Sequence, residues 1–317
     1  HCPGGPGLTC NRPLPASNAR EQKVTAILGI DAAWTDRQPS GVALVQEVDG
    51  RWQCVAVAPS YASFMTIEPG GVADWKQEPF PGSPPDPGEL LRQVPRLLGG
   101  GEVTVVAMDL PLAYTAITGR READNVVSRE FGMAWCGTHS PSRARPGQLS
   151  DTLRGGFAAE GYALATKGFV RETPGRLIEV YPHAALLGLL GFSSRVMYKV
   201  GKTRTYWPEE PSIARRRHLL LTVHRMILSF LQNEIDNIDL PVPHPDSPGS
   251  LASLKRFEDA LDALVCCWVG IRYLEGEAVA CGDQDAAIWV PKQSFAVVNS
   301  ASANRVSPPR LAGRRAD

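Results

Sequence analysis

Val24-Thr25-Ala26-Ile27-Leu28-Gly29-Ile30-Asp31 is the stretch whose reading decides the fold. It is a short apolar run ending on a carboxylate, which reads as a strand that delivers one acid to its C-terminal tip. Two strands follow. In Gly41–Val48 the side chains of Val42, Leu44 and Val48 share one face, and Arg51–Ala58 is populated by Trp52, Cys54, Val55 and Val57. Asp49-Gly50 between them is a two-residue hairpin turn, because both residue types tolerate positive φ. The chain thus opens as an antiparallel meander.

Further on, residues 66–88 are rich in Gly and Pro and read as a loop. Pro87–Leu98 sets Leu90, Leu91, Val94, Leu97 and Leu98 at helical spacing, and Gly99-Gly100-Gly101 stops it. Residues 103–109 are an apolar strand of the parallel type, ending on Asp109 before Leu110-Pro111 turns the chain away. A charged amphipathic segment (120–131) and a polar loop (136–150) precede a helix over 151–168. Then come a strand at 175–181, a helix at 184–190, a helix at 212–233 and a Pro-rich loop at 236–249. A long helix over 250–276 and a strand at 286–291 complete the series, with no internal repeat. Three antiparallel strands followed by alternating helices and strands make a mixed α/β sheet, which neither a sandwich nor a bundle fits. The expectation is one domain over residues 23–292, a flexible leader at 1–22 and a loose tail at 293–317.

Lysine plus arginine equals aspartate plus glutamate, at 33 each, so bulk charge does not draw this chain to polyanions. The seven cysteines show no C-x-x-C spacing, which argues against a zinc site or disulfide framework and for a reducing compartment such as the cytoplasm. No apolar run reaches the roughly 18 residues of a membrane span, and no signal peptide is recognisable.

Acids sit at the ends of several elements. Asp31 and Asp109 close apolar strands, where an ordinary turn or cap is the alternative to a functional role. Glu179 lies inside an apolar strand between Ile178 and Val180, where an ionised carboxylate is costly unless paired. In the late helix Leu254, Phe257, Leu261, Leu264, Val265 and Trp268 form the core stripe, flanked by Glu258, Asp259 and Asp262. These acids are i,i+3 and i,i+4 neighbours whose repulsion a hard cation, Mg²⁺ or Mn²⁺, would relieve. Acids from four elements meeting at one place would suit a two-metal phosphodiesterase.

The runs Gly29-Ile30-Asp31-Ala32-Ala33-Trp34, Asp109-Leu110-Pro111-Leu112, Glu179-Val180-Tyr181-Pro182-His183-Ala184 and Glu258-Asp259-Ala260-Leu261-Asp262-Ala263-Leu264 resemble the DUF429 family over residues 24–292. Arg121 with Asp124, Ser140-Pro141 and Tyr198-Lys199 are similar to its pattern too. The family is regarded as nucleases of the ribonuclease H-like fold, so the resemblance implies that fold, a Mg²⁺ or Mn²⁺ cofactor and a nucleic-acid substrate. It also implies metal ligation by Asp31, Asp109 and Asp262, with Asp259 and Glu179 as further catalytic acids. The Asp259-x-x-Asp262 spacing is similar to that of the Holliday-junction resolvase branch.

Other residues carry weaker signals. His183 can serve as a proton donor to a leaving group, or as a buried, hydrogen-bonded histidine. His139 and Arg143 in the polar loop suit phosphate contact, or simply an exposed loop. Lys199, Lys202 and Arg204 interleave with Tyr198, Tyr206 and Trp207 in the manner of a groove that stacks bases and meets phosphates. Two other functions remain open. An actin-like ATPase needs a Gly/Thr-rich phosphate loop after the first acid, where this chain has Ala32-Ala33-Trp34-Thr35-Asp36. A non-catalytic binding module would keep the fold without turnover.

Overall fold

β1 (Ala26–Asp31) lies between two different kinds of neighbour, antiparallel β2 (Gly41–Val48) and parallel β4 (Val105–Met108). The computed structural model describes residues 25–35, 37–76, 82–83, 86–168, 175–247 and 249–303, besides His1. The remaining strands are β3 (Arg51–Ala58), β5 (Tyr162–Leu164), β6 (Gly175–Val180), β7 (Ile235–Asp236), β8 (Ala278–Gly282) and β9 (Ala287–Pro291). They form one sheet in the order β7-β3-β2-β1-β4-β6-β9-β8. β5 pairs with the first half of β6 and β9 with its end, both in parallel. This is the mixed α/β sheet expected, an antiparallel meander joined to parallel strands.

The helices are α1 (Tyr61–Met65), α2 (Pro87–Leu98), α3 (Glu122–Phe131), α4 (Gln148–Ala159), α5 (Pro182–Leu190), α6 (Thr203–Tyr206), α7 (Ile213–Leu231), α8 (Lys255–Leu274) and α9 (Lys292–Ala303). Alternation along the strands divides the core in two. Ile27, Ala43, Val105, Ala107 and Ile178 face α5, α7 and α8. Leu28, Val42, Leu44, Val106 and Leu177 face α1, α2 and α4. With both faces covered, the central strands are buried throughout, which is why β4 is apolar at every position. α8 is buried on every side, beyond the single stripe read from its spacing, because it lies on β1 and β2 beneath α7.

Several expectations are corrected. The helix read over 151–168 starts at Gln148 and ends at Ala159; Gly161, at φ 91°, then turns the chain into β5. Strands β7 and β8 were not foreseen: one has two residues, and the other pairs only with β9. The tail expected from residue 293 is helical to Ala303, with Phe295 and Val298 packed into a small core that α3 and α5 share. Residues 304–317, the leader at 2–22 and Val24 lie outside the described residues. No helix among the described residues is long and apolar enough to cross a membrane.

Candidate functional site

The same alternation sorts the acids. Asp31 continues the face of Ile27 and Gly29, and Asp109 that of Val105 and Ala107, so both point toward α8. The strand tips are adjacent: Ile30 pairs with Met108, and the Asp109 amide donates to the Ile30 carbonyl at 2.9 Å. Glu179 has the register of Leu177 and points to the opposite face.

α8 reaches Asp31 because two glycines let it approach. A Cβ on Gly29 would lie 2.1 Å from the Ala263 carbonyl oxygen, and one on Gly41 would lie 2.1 Å from that of Asp259. This approach brings the Asp259 carboxyl close enough for its charge to act on Asp31. Burial and the neighbouring Asp259 charge push the Asp31 pKa up to about 7. Burial and the Asp31 charge push Asp109 well above the usual carboxylate range. Burial raises Asp259 to about 6 against the pull of Lys255. Neither Asp31 nor Asp109 forms an ion pair among the described residues.

Two lysines stand among the remaining acids. Lys199 pairs with Asp262 and lies 3.4 Å from Glu258. Lys255 pairs with Asp259 and donates to Glu258 at 2.9 Å. Burial works against ionisation of Glu258, but the two ammonium groups outweigh it and hold its pKa below the usual value. Asp262 accepts from the Tyr198 hydroxyl at 2.7 Å and from Lys199, so both its oxygens are occupied. Both helix acids therefore meet the strand acids, Asp259 beside Asp31 and Asp262 near Asp31 and Asp109, and Asp262 also holds Lys199.

Glu179 has a separate partner. Its two oxygens accept from the Arg121 guanidinium at 2.6 and 2.7 Å, and one also accepts the Leu112 amide at 2.7 Å. Arg121 in turn pairs with Asp124 at 2.9 Å and donates to the Leu112 carbonyl at 2.7 Å. This buried network clamps the turn that follows Asp109 and leaves Glu179 no free oxygen edge for a metal. His183 is committed as well. Its Nε2 lies 2.5 Å from Arg195 Nη2, and since guanidinium can only donate, Nε2 is the acceptor and the ring is neutral. Burial, with Lys199 and Arg195 nearby, lowers the His183 pKa well below the usual value, which suits an anchor for Arg195 better than a proton donor.

The acids open into a cleft of about 700 Å³ lined by Asp31, Asp109, Glu258 and Asp259 on one side of its chemistry and by Arg145, Arg195, Lys199 and Lys202 on the other. A model of the family DUF429, described as proteins of unknown function, matches residues 29–287. The chain belongs to DUF429. No curated protein and no solved structure matches it. The DUF429 match contains every cleft residue named above. His139 lines the cleft too, and burial with Arg195 and Lys202 lowers its pKa. Arg143 and Arg204 are exposed and do not line it. Arg145 takes the position expected of Arg143, with its guanidinium carbon 5.9 Å from the Trp34 ring.

The acids' oxygen donors suit a hard cation in chemistry. Among the described residues, however, no three His, Cys, Asp or Glu side chains stand in a metal-holding arrangement. Lys199 and Lys255 supply the positive charge instead. From the sequence, Lys255 reads as a neighbour on a solvated acidic face and Lys199 as a substrate contact; the structure makes both of them internal counter-ions of the buried acids.

Proposed function

We propose that this DUF429 chain is a divalent-metal-dependent nuclease of the ribonuclease H-like class, cleaving phosphodiester bonds in nucleic acid. The observation that carries the reading is the meeting of Asp31 and Asp109 with the acids of α8, Asp259 beside Asp31 and Asp262 near both. They come from two adjacent parallel strand tips and the facing helix, at a cleft that also presents Arg145, Arg195 and Lys202. The sheet order β3-β2-β1-β4-β6, with only β2 antiparallel to its neighbours, supports the fold assignment. Burial has made the anions of Asp31 and Asp109 unfavourable, and a cation would restore them. As they stand these acids do not form a ligand set. Asp31 and Asp109 would hold Mg²⁺ or Mn²⁺ with a helix acid only once that acid leaves its lysine. The ion would then supply activation of water and stabilisation of the leaving oxygen. Arg145, Arg195 and Lys202 bind and orient phosphate oxygens. Arg121 and Glu179 fix the turn after Asp109, so that its carboxylate keeps one direction.

The test is calorimetric titration of Mn²⁺ and Mg²⁺ into the wild type and Asp31→Asn, followed by a panel of labelled DNA, RNA and branched substrates. The expected result is metal binding and cleavage in the wild type, both lost in the variant. Equal cleavage by both proteins would end the proposal. The neutralisation of Glu258, Asp259 and Asp262 by Lys199 and Lys255 favours a second reading, a nucleic-acid-binding module without turnover. Binding of the panel with neither metal uptake nor cleavage would select it.

A further inference from the structure

Trp135 combines a left-handed backbone with an exposed indole. It caps a short 3-10 turn (Gly132–Ala134) in the left-handed region, at φ 62° and ψ 22°, where a bulky side chain is strained. It is also 78% exposed, so no internal packing offsets that strain. The nearby Met133 is 74% exposed. Its backbone is hydrogen-bonded, but the exposed indole adds little packing to the folded state and is open to a ligand.

Its surroundings identify the chemistry. Arg195 joins this turn to the cleft: its amide donates to the Ala134 carbonyl at 2.8 Å, and Nη1 donates to the Trp135 carbonyl at 3.3 Å. The same guanidinium reaches His183 through Nη2 and lines the cleft. The exposed Trp135 is therefore held through its backbone carbonyl to the cation that lines the cleft. Inside the cleft Trp34 and Arg145 repeat the combination of ring and guanidinium. Alternating cations and aromatic faces are the recognition set for a lone nucleic-acid strand, whose phosphates meet the charges while its bases stack on the rings. A duplex keeps its base faces stacked inside and has none to offer Trp135. The cleft volume, about 700 Å³, is that of a small-ligand site and accommodates unpaired nucleotides better than a helix.

We infer that the substrate is single-stranded, or a single-stranded end or flap, and that one base outside the cleft stacks on Trp135 while the backbone passes Arg195. This rests on reading the cleft as a nucleic-acid site, and it concerns binding, so it can be tested without turnover. Fluorescence anisotropy would compare a labelled single-stranded oligonucleotide with its duplex in EDTA. The proteins are the wild type, Trp135→Gly and Trp135→Phe. Glycine adopts φ 62° freely, so Trp135→Gly folds at least as well as the parent and a loss of affinity is not a folding defect.

The wild type is expected to prefer the single strand, Trp135→Gly to lose about tenfold in affinity for it, and Trp135→Phe to recover most of that loss. Equal binding of strand and duplex, or unchanged affinity in Trp135→Gly, overturns the inference. So does self-association that Trp135→Gly abolishes with no oligonucleotide bound, which would assign this face to a protein partner. Trp135-dependent binding without cleavage would leave the inference standing and remove the nuclease reading. Cleavage without any Trp135 effect would do the reverse.

Discussion

At the proton on Asp31, folding opposes the metal-holding role proposed for this carboxylate. Its ordinary pKa is 3.8 and its pKa in the fold is about 7, so between these values the folded chain holds a proton that the unfolded chain has released. The stabilising contribution is complete below the lower value and is lost as pH rises through the upper one. Asp31→Asn keeps the hydrogen-bonding shape without the charge. It should therefore raise stability by roughly 1–3 kcal/mol at pH 8 in EDTA, with the gain fading at pH 4, as thermal melts at the two pH values would check. Arg121 presents the opposite case, a buried cation between two acids. Arg121→Gln leaves Glu179 buried without its cation and should lose about 3–5 kcal/mol in urea unfolding. That Glu179 needs a positive partner was legible from its place between Ile178 and Val180. That the partner is Arg121 rather than a metal was not, because strand parity turns Glu179 away from α8 and the two residues lie 58 positions apart.

The working unit among the elements is α8 seated on β1 and β2. Its height above the sheet is set by Gly29 and Gly41, and that height brings Asp259 to Asp31. Gly41→Ala would force a methyl group against the helix backbone, where no side-chain rotation gives relief. A loss of roughly 1–3 kcal/mol is expected, together with weaker Mn²⁺ uptake in calorimetry, because α8 must move outward. Long, strongly patterned elements were readable in the sequence: the hairpin about Asp49-Gly50, α2 with its glycine stop, and α8 with its apolar stripe. Three short strands were hidden for a physical reason. β5, β7 and β8 are held in place by long-range pairing, with five residues or fewer in each, and so little carries a local period. Asp259 and Asp262 looked equivalent as neighbours on one helix flank. The packing distinguishes them by their partners, Lys255 for Asp259 and Tyr198 with Lys199 for Asp262.

Across the whole molecule the net charge is zero, so the proposed attraction for nucleic acid would have to be local. Arg145, Arg195 and Lys202 are the cleft cations not committed to the acid cluster, and three phosphate contacts give a slope of log K against log salt of about −2 for a single strand. Anisotropy titrations from low to moderate salt would measure it, and a much steeper slope would require a basic surface beyond the cleft. The contact of α8 with β1 has a further consequence, for how the chain is made. Cys266 on α8 reaches the Ile30 carbonyl of β1 across 236 positions. At ribosomal rates the first strand emerges about 10–50 s before the helix that covers it. During that interval the Ile27 face of the sheet has no lid, which leaves the nascent chain open to aggregation until α8 arrives.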